Sequence, residues 1–172
     1  MRKSNITLIG MPGAGKSTIG IILAKNLAYG FIDTDVLIQI NQQKSLQQII
    51  DETDHLNLRK IEAQEILKLN IQNHVIATGG SAAYSEPAMR HLETISHIVF
   101  LDVTFEELKK RIHNFKTRGI AKSKAQSFKD LFHERRKLYK QYAGLTIKCD
   151  RLDQEELALT IIRDVDAIFR YP

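Results

Sequence analysis

Cysteine is nearly missing from this sequence. Its 172 residues contain a single cysteine, Cys149, which excludes an intramolecular disulfide and any zinc site assembled from cysteine ligands. Such a composition fits a reducing compartment. The six histidines have no spacing typical of metal ligands, so we expect structural or surface roles for them. We expect Cys149 to be a buried, small apolar residue and not a nucleophile.

Long apolar runs are also missing. No stretch approaches the roughly 20 residues needed to span a bilayer. The apolar run near the amino terminus, residues 5–9, breaks at a glycine and is too short for a signal peptide. We therefore predict a cytoplasmic protein with no membrane partner. The length predicts a single domain over residues 1–172, because domains commonly contain about 100–200 residues.

Positive charge is concentrated in one segment. The net charge is +5, and residues 109–140 contain twelve Lys or Arg against two acidic residues. Such a segment is typical of a nucleic-acid site, of a nucleotide-phosphate site or of a solvated helical face. No RNA- or DNA-binding motif accompanies it, and its aromatic residues lack the spacing of a stacking platform. We therefore predict no nucleic-acid partner.

Apolar patterning alternates between strand-like and helix-like periods along the chain. Short apolar runs predict strands at residues 5–9, 31–32, 74–77, 97–101 and 145–147. Helical periods are found at residues 16–27, 35–40, 45–50, 57–69, 87–92 and 154–169, with a further helix after Thr104. This alternation predicts an α/β protein with a parallel sheet, whose ligands bind at the carboxyl ends of the strands. The polar, basic residues 114–127 predict a mobile loop.

Residues 10–18, GMPGAGKST, match the phosphate-binding pattern G-x-x-x-x-G-K-[ST]. A predicted strand precedes the motif and a predicted helix follows it, which is the context the motif requires. Its glycines let backbone N–H groups converge on phosphates, and the helix N-terminus adds its dipole. We expect Lys16 to reach the β- and γ-phosphates of ATP and Ser17 to coordinate Mg²⁺. The residues expected to bind ATP here are Gly13, Ala14, Gly15, Lys16, Ser17 and Thr18.

Two carboxylates, Asp33 and Asp35, follow the second predicted strand. One of them can hold the water shell of Mg²⁺, and the other can take or orient the proton of an attacking hydroxyl. Asp35 also stands where it can cap the following helix. The pattern alone leaves these roles open.

Two further pairs have no assignable role from pattern alone. Arg59 and Glu62 lie three residues apart on a predicted helix, as in an ordinary surface ion pair. Gly79 and Gly80 close the third predicted strand, where they permit either a simple turn or the close approach of a ligand to the backbone.

The roles of two arginines in the basic segment also stay open. Arg118 lies in the predicted loop, where an arginine that closes over a nucleotide can stabilise charge on a transferring phosphoryl group. Arg135 lies on the helix after the loop, and an arginine on a rigid helix suits bidentate binding of a carboxylate. Composition alone assigns neither role.

Taken in order, these segments resemble the shikimate kinase family over almost the whole chain: the phosphate loop, FIDTD, the Arg59/Glu62 pair, TGG, a lid arginine and ERRKLY. The resemblance implies a three-layer P-loop NTPase fold, in which a five-stranded parallel sheet flanked by helices carries a mobile lid over residues 112–125. It also implies a monomer that uses Mg²⁺ and transfers the γ-phosphoryl group of ATP to the 3-hydroxyl of shikimate, a step toward chorismate and the aromatic amino acids.

Site roles follow from the same resemblance. It implies that Lys16 and Ser17 serve ATP and Mg²⁺, that Asp33 holds a Mg²⁺-bound water, and that Asp35 binds the ring hydroxyls as the candidate base. It implies catalytic roles for Lys16, Asp35 and Arg118.

The remaining implied roles concern the acceptor and the lid. Arg59 and Arg135 would clamp the substrate carboxylate, with Glu62 supporting Arg59. The implied backbone contacts to substrate come from Gly79 and Gly80, and the implied ATP contacts outside the phosphate loop come from Arg118, which closes on the phosphates, and Arg111, near the adenine.

Three residues depart from the usual family pattern. Leu58 stands where phenylalanine is common, Ser81 where a third glycine is usual, and Gly119 where proline follows the lid arginine. Leu58 is expected to trim the apolar wall under the substrate, at about 1–3 kcal/mol if uncompensated. Gly119 is expected to loosen the lid by about 0.4–1 kcal/mol through its larger entropy in the unfolded chain.

Other functions compete with a shikimate acceptor. The alternatives are a kinase of the same architecture for another small hydroxy acid such as gluconate, a nucleotide kinase, and a non-catalytic nucleotide- or RNA-binding module. Two arginines aimed at a carboxylate favour an acid over a nucleobase. Retention of both Asp33 and Asp35 favours catalysis, because binding alone does not require them.

Overall fold

The sheet contains the five predicted strands. The computed structural model describes residues 3–112, 119–123, 125–150 and 153–170. Its strands form one sheet in the order β2-β3-β1-β4-β5, and every neighbouring pair is parallel. Their bounds are β1 Asn5–Ile9, β2 Gly30–Asp33, β3 His74–Ala77, β4 Ser96–Asp102 and β5 Leu145–Lys148. The predicted α/β class with a five-stranded parallel sheet is confirmed.

Helices connect and flank the strands. Their bounds are α1 Lys16–Leu27, α2 Thr34–Gln42, α3 Leu46–Glu52, α4 His55–Leu67, α5 Glu86–Ile95, α6 Phe105–Arg111, α7 Phe128–Tyr142 and α8 Gln154–Val165. A short 3₁₀ helix, Ala82–Tyr84, precedes α5. Most of these helices begin after an N-cap residue whose side-chain oxygen accepts from a backbone N–H of the first turn, such as Ser45 for α3 and Thr104 for α6. Such a hydrogen bond stabilises the start of a helix.

Burial of the central strands explains their apolar sequences. All five residues of β1 are buried, and β4 is buried along nearly its whole length. A parallel strand covered on both faces has no polar side to expose, so it shows a continuous apolar run and not an alternating one. β1 lies between β3 and β4, which places the loop after β1 at the centre of the carboxyl edge.

Two predicted helices differ from the observed ones at their ends. The helix predicted over 87–92 begins at Glu86, because the hydroxyl of Ser85 caps it, and it continues to Ile95. The helix predicted over 154–169 ends at Val165 and is followed by a π-helical turn over Asp166–Arg170. In the described part of the chain, none of the helices has the length and apolar character that a membrane crossing requires.

Part of the predicted lid packs on α3. The backbone N–H of Gly119 donates to Gln47 Oε1 at 3.2 Å, and a Cβ added at Gly119 would meet Leu46. Gly119 has a φ of 63°, a left-handed conformation that proline, fixed near −65°, cannot adopt. Glycine at this position therefore suits the observed contact with α3, and the expected loosening of the lid stays a prediction.

Candidate active site

Several of the predicted site residues line one cavity at the carboxyl edge of the sheet, whereas Asp33, Arg59, Gly79 and Arg111 are not in its lining. The loops after β1, β2 and β3 border one cavity of about 170 Å³, the place where ligands bind in open parallel sheets. Segments from α4, α7 and the lid complete its wall. Its lining includes Lys16, Ser17, Asp35, Glu62, Gly80 and Arg135.

The loop after β1 has the conformation its glycines permit. Gly13 and Gly15 have φ values of 84° and 97°, where other residues are strained. Gly15 forms the N-cap of α1, so the backbone turns directly into the helix. Lys16 is buried, and its Nζ donates to the carbonyls of Gly10 and Met11 at 2.8 and 2.9 Å. The ammonium group is thus held over the loop in which phosphates would bind.

Asp33 connects the phosphate loop to α2. Its Oδ2 accepts from the Ser17 hydroxyl at 2.5 Å, and its Oδ1 accepts from the backbone N–H of Asp35 at 3.0 Å. Asp33 is therefore the N-cap of α2, and the alternative in which Asp35 caps that helix is wrong. The cap leaves the Asp35 carboxylate on the cavity wall.

Asp35 and Glu62 converge on Gly79. A Cβ at Gly79 would lie 2.5 Å from Asp35 Oδ1 and would overlap Glu62 Oε1. The glycine is thus required by the close approach of two carboxylates to the backbone. Ser81 Oγ donates to Glu62 Oε2, while the buried Oε1 has no hydrogen-bond partner. Burial, and next the charge of Asp35, raise the pKa of Glu62 to about 7.

The raised pKa of Glu62 predicts a pH-dependent stability. Between its ordinary value of 4.5 and about 7, the folded chain keeps a proton that the unfolded chain releases, so the free energy of unfolding falls as pH rises. Glu62→Gln removes the titration and is expected to flatten that fall, as measured by urea unfolding across the window. An exposed control, Glu106→Gln, is expected to retain the slope of the unsubstituted protein. Parallel curves for all three proteins would contradict this account.

Glu62 does not form the surface ion pair with Arg59 that their spacing permits. In the described residues its carboxylate accepts from Ser81, and the structure shows no salt bridge between Glu62 and Arg59. The spacing of three residues permits such a pair. Burial of Glu62 beneath Gly79 directs it toward the cavity instead, and any support of Arg59 by Glu62 acts through charge at longer range.

The two clamp arginines converge on one oxygen. Nη2 of Arg59 and Nη2 of Arg135 donate to the carbonyl of Ala121, at 3.3 and 2.6 Å. Both Nε atoms are buried and have no hydrogen-bond partner, and Arg135 is 1% exposed. Burial lowers the pKa of Arg59. Two guanidinium groups with unused donors around one oxygen form a site suited to a carboxylate.

Gly80 lies directly beside this clamp. A Cβ at Gly80 would lie 2.8 Å from Arg135 Nη1 and 2.8 Å from the Pro12 side chain. Its carbonyl accepts from the Tyr139 hydroxyl at 2.5 Å. The absence of a side chain at Gly80 thus lets Arg135 approach the phosphate loop.

Leu58 belongs to a small apolar cluster below the cavity. It packs with Ile38, Ile49 and Ala121, all nearly fully buried. The lid residue Ala121 thereby covers the space next to Leu58. The predicted loss of apolar wall at Leu58, and its effect on binding, stay predictions.

Arg111 lies on the other side of the phosphate loop. It lines a second cavity with Gly13, Ala14 and Thr18, together with the start of α8. Its Nε donates to Glu107 at 3.0 Å, which fixes the side chain at this cavity. The placement agrees with the implied position near the base of a nucleotide, which stays a prediction. Arg118, the predicted lid arginine, lies outside the described residues.

Cys149 has the buried environment that the sequence predicts. Its thiol is buried, and burial raises its pKa to about 12.

Two groups at the site, Tyr84 and the Ala121 carbonyl, have no sequence signal because neither belongs to a motif. Ser81 departs from the family pattern, but only the folded chain brings its hydroxyl to Glu62. Tyr84 stacks under Arg59, with 3.6 Å between the guanidinium carbon and the ring centroid.

The fold and this site define a P-loop kinase. The phosphate loop, the Asp35 carboxylate and Arg135 line one cavity, and Arg59 joins Arg135 at the Ala121 carbonyl. The family model described as shikimate kinase matches residues 12–166. The shikimate kinase of Aquifex aeolicus (strain VF5) is 33% identical over 151 residues, which cover 87% of this chain and 89% of that protein. That of Clostridium botulinum (strain ATCC 19397 / Type A) is 37% identical, over 92% and 94%.

Solved structures agree with the sequence comparisons. The shikimate kinase from Acinetobacter baumannii in complex with shikimate has a TM-score of 0.89 and 28% identity, covering 96% of this chain and 94% of that one. Thymidylate kinase from Candida albicans, at a TM-score of 0.62 and 12% identity, shares the fold alone. The chain belongs to the shikimate kinase family, and it is an ATP-using kinase.

Proposed function

We propose that the chain transfers the γ-phosphoryl group of ATP to the 3-hydroxyl of shikimate. The observation that carries the proposal is the convergence of Arg59 and Arg135 on the Ala121 carbonyl, because Ala121 and Arg135 line the same cavity as Asp35. A small acid with a ring hydroxyl presents a carboxylate and an alcohol to these two groups at once. Family membership supports shikimate as that acid.

The donor half of the reaction rests on the phosphate loop. Backbone N–H groups of residues 13–18 and the N-terminus of α1 favour the β- and γ-phosphates. The Lys16 ammonium adds a positive charge where charge develops during transfer. In this proposal Arg118 contacts the γ-phosphate of ATP and Arg111 lies near the adenine, as the family resemblance implies.

Ser17 and Asp33 fit Mg²⁺. A hydroxyl and a carboxylate in direct contact beside the phosphate loop are the hard oxygen donors that this ion prefers. The described residues contain no cluster of three or more metal-ligating His, Cys, Asp or Glu side chains, an arrangement that suits an ion held largely by waters and substrate phosphates. When bound, Mg²⁺ would neutralise charge on the β- and γ-oxygens.

The acceptor half rests on Asp35 and the clamp. Arg59 and Arg135 bind the carboxylate, and the backbone at Gly79 and Gly80 borders the ring. Asp35 takes the proton of the substrate 3-hydroxyl. The oxygen of that hydroxyl bonds to the γ-phosphorus while the bond between the γ-phosphorus and ADP breaks. The carboxylate of the substrate thus fixes which hydroxyl faces the base.

A panel of acceptors tests the proposal. Purified protein with MgATP is offered shikimate, gluconate or a nucleoside monophosphate, and ADP release is followed by a coupled assay. We expect turnover with shikimate that far exceeds turnover with the others or with water. A clear preference for gluconate or a nucleotide, or ATP binding without turnover on any acceptor, would overturn the proposal.

A further inference from the structure

Tyr84 forms the floor of the arginine clamp. It ends the 3₁₀ helix Ala82–Tyr84, which directly follows Ser81. The Arg59 guanidinium carbon lies 3.6 Å from its ring centroid, and that of Arg135 lies 5.5 Å away. Both guanidinium groups are within the range of favourable cation–π contacts. Tyr84 therefore contacts both cations that the proposed function assigns to the substrate carboxylate.

The hydroxyl of Tyr84 is held by a hydrogen bond to Glu134. It donates to Glu134 Oε1 at 2.5 Å, and Glu134 Oε2 accepts from the Gln126 side chain. Glu134 is on α7, one residue before Arg135, and Gln126 lies just before that helix. Because this hydrogen bond fixes the hydroxyl oxygen, it holds the far end of the Tyr84 side chain in place beside Arg59.

Stacking leaves the donors of Arg59 available. The five N–H groups of a guanidinium lie in its plane, so a ring below that plane blocks none of them. The Arg59 side chain is long and flexible, and fixing it before substrate binds removes rotamer freedom that binding would otherwise have to restrict. The ring itself is uncharged, and the Glu134 carboxylate, which acts on Arg59 through its charge, accepts from the Tyr84 hydroxyl.

We propose that Tyr84 is a positioning residue that sets the preference of this enzyme for an acid, by holding Arg59 and Arg135 in the geometry that receives the substrate carboxylate. The inference rests on the proposed function. Tyr84 acts through the arginines, so its removal weakens recognition of the carboxylate while Asp35 and the phosphate loop keep their positions. Its contribution is specific to acceptors with a negative charge at that place.

Three variants test the inference. Tyr84→Leu removes the ring, Tyr84→Phe keeps the ring and loses the hydroxyl, and Tyr142→Leu makes the same large-to-small change at the far end of α7, beside the start of β4. For each, steady-state kinetics are measured with shikimate, with its methyl ester, which lacks the negative charge, and with varied ATP.

Tyr84→Leu is expected to raise the KM for shikimate by about 3- to 20-fold, the range of cation–π contacts, with no change in the KM for ATP. The preference for shikimate over its methyl ester in kcat/KM is expected to fall by a similar factor. Tyr84→Phe is expected to retain most of that preference, and Tyr142→Leu all of it.

Loss of fold and loss of positioning give different results. A variant that is only destabilised loses active protein, so its rates with acid and ester fall together and their ratio is unchanged. An unchanged ratio for Tyr84→Leu, in a protein that turns over shikimate before substitution, would overturn the inference alone. No turnover of shikimate by the unsubstituted protein would overturn the proposed function and this inference with it.

Discussion

Asp35→Asn is expected to lower kcat with shikimate by about 10²- to 10⁴-fold, the range for removal of a general base. An amide at this position retains the shape of the carboxylate but cannot accept the proton of the attacking hydroxyl. The cap of α2 uses the backbone N–H of Asp35, not its side chain, so the helix keeps its start. The phosphate loop is untouched, and the KM for ATP is expected to stay the same.

The same substitution has a matched control and a second readout. Asp51→Asn changes an exposed carboxylate on α3 that accepts from the Gln47 side chain, and it is expected to leave kcat unchanged. Loss of the Asp35 charge also removes the second-largest cause of the raised pKa of Glu62, so the pKa of Glu62 is expected to fall in Asp35→Asn. A variant that retains near-normal kcat would show that Asp35 is not the base.

Arg135→Ala is expected to lower kcat/KM for shikimate by about 30- to 1,000-fold, equivalent to about 2–4 kcal/mol for truncation of one partner of a buried charge pair. Arg135 is almost fully buried, and its Nη2 makes the shorter of the two bonds to the Ala121 carbonyl. Arg59→Ala is expected to act in the same direction, because both guanidinium groups converge on that oxygen.

Comparison with the methyl ester of shikimate separates recognition from folding in this case too. Loss of Arg135 is expected to affect the acid far more than the ester, whereas a folding defect lowers both equally. Arg90→Ala, which removes an exposed arginine paired with Glu86 on α5, is the control and is expected to behave as the unsubstituted protein. An equal loss for acid and ester in Arg135→Ala would contradict the assignment of the clamp.

Much of the fold could be predicted from local pattern. The strands of the sheet are short apolar runs because parallel strands are buried on both faces, and the phosphate loop is a contiguous motif whose context the flanking residues supply. Helix ends were less accurate, since α5 begins at a cap, Ser85, that precedes the predicted start. Contiguous signals were thus sufficient for the elements of the fold and for the position of the phosphate loop.

The acceptor half could not be derived the same way. Arg59, Ala121 and Arg135 come from three separate segments, and only the folded chain brings them to one oxygen. The spacing of Arg59 and Glu62 indicated a pair, but burial turned Glu62 toward Ser81. Tyr84 had no signal at all, because its role depends on which side chains lie above its ring.

The position of the new phosphate on the product tests the central claim most directly. Shikimate, MgATP and the protein are incubated, and the product is examined by NMR for coupling between phosphorus and ring hydrogens. We expect one phosphorylated product, with coupling to the hydrogen on the carbon that bears the 3-hydroxyl. A phosphate on another hydroxyl, or no phosphorylated shikimate from well-folded protein, would contradict it.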